Sequence, residues 1–166
     1  MGPHSFLEID FGIPYPKNEV RLARKLLEVL PVKFTEVYGG KTGRKNIKNI
    51  EGVLKFYKSE LKSAGEARPY LSVSMNFKGW PMNLNLHHFP QHLQEIPDTP
   101  GIDVSLQCIT KVWRKAPVKI KLGVNKMIAK LSKILNPYFQ EGNSEYGARS
   151  AGLIDDNGFI IRRRPK

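Results

Sequence analysis

The sequence predicts an α/β fold: one mixed sheet of about four strands flanked by helices, with a helical arm before it and a basic extension after it. Three observations lead there. Residues 70–77, Tyr-Leu-Ser-Val-Ser-Met-Asn-Phe, alternate apolar and polar without a break, as a half-buried strand does. Val124, Met127, Ile128, Leu131, Ile134 and Leu135 form one helical stripe, with Lys126, Lys130 and Lys133 facing outward. The periods follow one another as strand, helix, strand, strand, strand, helix, an order that suits one sheet with a right-handed crossover joining its first two strands.

Residues 6–16 carry three aromatics and two prolines and are expected as an extended arm. Asn18 then caps a helix through Leu30, in which Val20, Ala23, Leu26, Leu27 and Leu30 recur at helical spacing and Pro31 supplies the stop. A strand from Val32 to Tyr38 leads through a polar loop to a second helix, with apolar positions Ile50, Val53, Leu54, Tyr57 and Leu61, a cap at Gly65 and a break at Pro69. Residues 79–101 hold four prolines and predict a long irregular excursion with one short strand at Met82–Leu86. Two strands are expected at 103–113 and 117–122, the second beginning at Pro117, then the helix from Gly123 to Leu135, ended by Asn136-Pro137. Asn157-Gly158 predicts a small hairpin within 154–160. These elements divide the chain into an N-terminal arm and helix (1–31), a core domain (32–136) and a C-terminal basic extension (137–166).

The 27 Lys+Arg against 15 Asp+Glu give a net charge of +12, which attracts polyanions, nucleic acid first. With 40% hydrophobic residues the chain has enough apolar material for a core, so wholesale disorder is excluded. A single cysteine, Cys108, rules out an intramolecular disulfide, fits a reducing compartment and sits in a strand as a small buried hydrophobe. No apolar run reaches the ~18 residues of a membrane span, so no membrane insertion is expected. Glu8 and Asp10 oppose an uncleaved mitochondrial presequence.

Between the first strand and the second helix lies Tyr38-Gly39-Gly40-Lys41-Thr42-Gly43-Arg44-Lys45-Asn46. A nucleotide P-loop needs a glycine five positions before Gly40, where this chain has Thr35, and its helix would begin at Lys41-Thr42 rather than later. What remains is a basic loop with Lys41, Arg44, Lys45 and Lys48 and no acid from 38 to 50, suited to the spaced phosphates of a polymer. Solvated charge with no ligand is the competing explanation. Lys111, Arg114, Lys115, Lys119 and Lys121 form a second group on the later strands, beside Trp113, which would either stack on a base or join the core. Arg162, Arg163, Arg164 and Lys166 form a third in the tail.

His87, His88 and His92 invite a zinc site, but Pro90 breaks the helix such spacing would need and no clear carboxylate or cysteine ligand lies nearby. Asp98 and Asp103 flank prolines and Gly101 and are expected in turns. No nucleophile elbow or catalytic carboxylate pair stands out, so neither an enzyme nor a cofactor is expected.

Gly52-Val53-Leu54-Lys55-Phe56 resembles the G-[AVM]-R-x-F signature of the thioredoxin-like family shared by small mitochondrial ribosomal proteins and an accessory subunit of respiratory complex I, with Leu54 at the family's arginine. The resemblance spans residues 32–135. It implies a thioredoxin-like sheet and, given the basic balance, the ribosomal branch, whose members bind ribosomal RNA and neighbouring proteins without catalysis. The expectation is therefore a structural RNA-binding protein of a large ribonucleoprotein, the mitochondrial ribosome first, with a cytoplasmic setting as the alternative location. A free-standing single-stranded nucleic-acid-binding factor is the second hypothesis. A nucleic-acid-processing enzyme with metal ligands from His87, His88, His92, Asp98 or Asp103 is the third.

Overall fold

The computed structural model describes residues 6–63, 69–89, 101–109, 112, 115–137 and 139–143. Among them run β1 Phe6–Ile13, α1 Glu19–Val29, β2 Lys33–Gly39, β3 Gly43–Lys45, α2 Ile50–Ser63, β4 Tyr70–Phe77, β5 Trp80–His88, β6 Ile102–Ile109, α3 Val118–Leu135 and β7 Phe139–Asn143. The strands form one seven-stranded sheet in the order β3-β2-β4-β5-β6-β1-β7. Each of its pairings is antiparallel. The chain is thus α/β, but its sheet is neither mixed nor limited to about four strands. The reason begins at β3: this three-residue strand turns the chain back before α2, so β4 returns antiparallel to β2 instead of parallel through a crossover.

Asn18 caps α1 as predicted, its Oδ1 accepting from the Arg21 N–H at 2.9 Å. Ala23, Leu26 and Leu27 are buried on the inner face of α1, and Val53, Leu54, Phe56 and Tyr57 on that of α2. In β4 the alternation is complete: Leu71, Val73, Met75 and Phe77 point to the helices and their neighbours point away. β2 departs from strict alternation because a bulge shifts the register between Phe34 and Glu36, which lets Phe34 and Val37, three apart, both face the core.

Three expectations change. Residues 6–13 are not an arm but β1, inserted between β6 and β7, with Ile9, Phe11 and Ile13 at 3, 0 and 3% exposure in the core. Gly79 opens no excursion: Lys78 and Gly79 take φ of 50 and 93° in a two-residue hairpin, and β5 runs from Trp80 with Met82, Leu84, Leu86 and His88 inward. Pro81 is tolerated because β6 pairs with β5 only from Asn83 onward, leaving that stretch with one neighbour. Residues 117–122 are helix rather than strand. Pro117 occupies the N-cap, where a missing N–H costs nothing, and its carbonyl accepts from Ile120 and Lys121. The alternation of Val118, Ile120 and Leu122 has no sheet to join, and Val118 and Leu122 remain exposed.

The described helices α1, α2 and α3 cover one face of the sheet. Cys108 is buried there among the apolar side chains, as expected, and burial pushes its thiol pKa up. Gly123 lets α3 approach β4: a Cβ at that position would lie 2.6 Å from the Phe77 ring. The opposite face carries Tyr38, Tyr70, Ser72, Ser74, Asn83, Asn85, His87, Asp103, Ser105 and Gln107. The Gly65 cap, residues 90–100 of the expected 79–101 excursion and the 154–160 hairpin lie outside the described residues.

Candidate nucleic-acid interface

The loop between β2 and β3 owes its shape to a carboxylate from α2. Glu60 is 1% exposed and accepts from the Thr42 N–H at 2.6 Å and the Lys41 N–H at 3.2 Å. Gly39 admits it, since a Cβ there would lie 2.4 Å from the Glu60 carboxyl carbon. Burial pushes the Glu60 pKa up, but the hydrogen bonds from Thr42 and Lys41 outweigh it and hold the carboxyl below its ordinary range. Backbone amides that would have met a nucleotide phosphate are thus occupied by the protein's own anion. The Lys41, Arg44, Lys45 and Lys48 side chains are left exposed outside the loop. Arg44 is 70% exposed and lies 3.5 Å from Glu36.

The second predicted group does not form one strand surface. Lys115 sits in the turn before α3, and Lys119 and Lys121 on its first turns. α3 packs on β1, and its Gly123 end meets Phe77, at the end of β4 remote from Leu71, whose β2 partner Gly39 pairs with β3; the strand between spans roughly 20 Å. The β3 edge and the α3 lysines are therefore separate patches. Lys111, Trp113, Arg114 and the tail cations Arg162, Arg163, Arg164 and Lys166 lie outside the described residues, as do His92 and Asp98.

The histidines divide between the faces, because neighbours in a strand point oppositely. His88 is buried, 2.7 Å from the Tyr57 hydroxyl, and burial together with His87 lowers its pKa to about 4. The neutral ring shares a hydrogen bond at Nε2 with the Tyr57 hydroxyl, whose own ionisation burial pushes up. His87 is exposed on the polar face. Among the described residues no group of three or more His, Cys, Asp or Glu is placed to hold a metal ion. Asp103 is in β6 rather than a turn: the strand reaches from Ile102, and the carboxyl lies on the polar face with Oδ1 buried and unbonded. Burial, with the Glu8 charge adding, raises its pKa to about 7.

Sequence reasoning missed the polar face as a surface. Its ladder runs from Tyr70, whose hydroxyl is 3.5 Å from Asn85 Oδ1, through Asn85 Nδ2 donating to Ser105 and Gln107, to Gln107 Nε2 donating to Glu8. Beside it a groove of about 220 Å³ is lined by Thr35, Ser74, Asn76, Asn83 and Gln107. Tyr38, 43% exposed, meets the Tyr70 ring edge-on at 6.2 Å, and Tyr70 meets His87 at 5.8 Å. The signal was the parity of Tyr38, Tyr70 and His87 within their strands, which becomes a row once β2, β4 and β5 are neighbours.

In the first turn of α2 the residues of the G-x-x-x-F pattern have local roles. Gly52 donates its N–H to Asn49 Oδ1 at 2.7 Å and leaves room for Ile47, while Val53, Leu54 and Phe56 are core. No helix among the described residues is long and apolar enough to cross a membrane. Comparison with known proteins returns nothing: no family model, no curated protein and no solved structure matches the chain.

Proposed function

We propose that this chain binds RNA as a structural, non-catalytic component of a ribonucleoprotein. The observation that carries the proposal is the β2–β3 loop: its amides are committed to Glu60, while Lys41, Arg44, Lys45 and Lys48 stand outside it at a sheet edge. Such an arrangement suits a polymer backbone, whose phosphates are met by separate point charges and guanidinium forks, and does not suit one nucleotide in a nest. The net charge of +12 supplies the long-range attraction, and Lys115, Lys119 and Lys121 a second patch for the same polymer or a neighbouring one. The resemblance at Gly52–Phe56 makes the mitochondrial ribosome, with its rRNA and neighbouring proteins, the assembly to test first.

The test is the affinity of the full chain for RNA at several salt concentrations. A logarithmic plot should fall steeply with salt, and replacing Lys41, Lys45 and Lys48 together by Gln should reduce the slope by roughly 2 to 3. A flat plot, or a slope unaffected by the triple replacement, overturns the proposal for this loop.

A further inference from the structure

We infer that the exposed sheet face is a stacking platform for unpaired RNA bases, seated on Tyr38, Tyr70 and His87. The inference rests on the RNA-binding reading and adds which part of the polymer is held and by what contact. Three adjacent strands each contribute one ring on the same side: Tyr38 from β2, Tyr70 from β4 and His87 from β5, with the Phe89 ring stacked on His87 at 5.6 Å and 28°. The rings meet edge to face, at 6.2 Å and 70° and at 5.8 Å and 82°, so they form a row of separate aromatic faces across the sheet, each turned differently from its neighbour. Such a row suits about three successive bases, since every base has a π-face while a duplex hides its bases in the stack.

Charge selects both the occupant and its place. Arg44 flanks the row directly, paired with Tyr38, and Lys33 lies on the same face at the other end of β2, paired with Asn76 beside the groove; both are exposed. Glu8 and Asp10 occupy β1 on the same face and repel a backbone laid there. A strand entering from the basic loop therefore stays over β2, β4 and β5. The groove lies further along β4 and β5 on the same face, roughly 13 Å from the row at normal strand rise, and presents Asn83, Asn76 and Gln107, amides able to meet the donor and acceptor edges of a neighbouring base.

The test measures binding of the full chain to labelled oligouridine and to duplex RNA of equal length. The parent should prefer the single strand. Tyr38→Ala should weaken oligouridine binding on the order of tenfold without changing the salt slope, Tyr38→Phe should restore it, and duplex binding should not move. His87→Ala provides a second probe at an exposed position. If both alanine variants bind oligouridine like the parent while binding stays salt-dependent, the platform is overturned and the RNA-binding reading stands. Absence of salt-dependent binding to either RNA overturns both.

Discussion

Glu60 is a carboxylate enclosed by protein, and the Thr42 and Lys41 amides decide its preferred ionisation. Its folded pKa lies below the ordinary 4.5, so its stabilisation is fully present above that value and is lost as pH falls through the lower folded one. Glu60→Gln should cost about 1.5–3 kcal/mol at neutral pH by urea unfolding, with the difference from the parent shrinking below pH ~4. His88 and Asp103 act in opposition. With His88 lowered from 6.5 to about 4, the unfolded chain takes the proton first and stability drops as pH falls across that window. With Asp103 raised from 3.8 to about 7, the unfolded chain releases its proton first and stability drops as pH rises. Asp103→Asn removes the second trend alone. The variant should melt higher than the parent at pH 8, and its melting temperature should climb more steeply between pH 4 and 7. An unchanged profile would show that Asp103 ionises as readily folded as unfolded.

At the scale of elements, the β2–β3 hairpin and α2 are joined where Gly39 meets Glu60, and the glycine next to it provides a control. Gly39→Ala places a Cβ 2.4 Å from a buried carboxyl and should destabilise by about 1–3 kcal/mol, whereas Gly40→Ala meets nothing within 4 Å and should stay within about 0.5. Equal denaturation midpoints for the two would sink this account. The same elements explain what the sequence made legible. α1 was readable because cap, period and stop agree, α2 from its apolar period, β4 from its unbroken alternation, and the Cys108 strand from its apolar run. β1 was hidden because its alternation of Ile9, Phe11 and Ile13 is short and followed by Pro14 and Pro16, which drew attention to loop character. β5 was hidden by Pro81, since the single-neighbour stretch that tolerates it is a property of the assembled sheet. The loop cations were visible as charge, but the carboxylate that takes up the loop amides comes from α2, and no local pattern announces it. The aromatic row was invisible because no linear pattern states that β2, β4 and β5 are adjacent.

Across the whole molecule, one sheet face is sealed by helices and the other left polar, with basic and aromatic groups toward β3 and acids toward β1. Because β1 is an interior strand, removing residues 1–13 should abolish cooperative unfolding by circular dichroism, where loss of a mere arm would leave the transition intact. Phe11, fully enclosed, alone represents about 1.5–3 kcal/mol of burial. The position of β1 also orders events during synthesis. Its contact from Glu8 to Gln107 spans 99 positions, and its other neighbour, β7, is made later still. β1 is thus made before both of the strands it pairs with and must wait for them, so vectorial folding cannot finish the sheet until β7 is made.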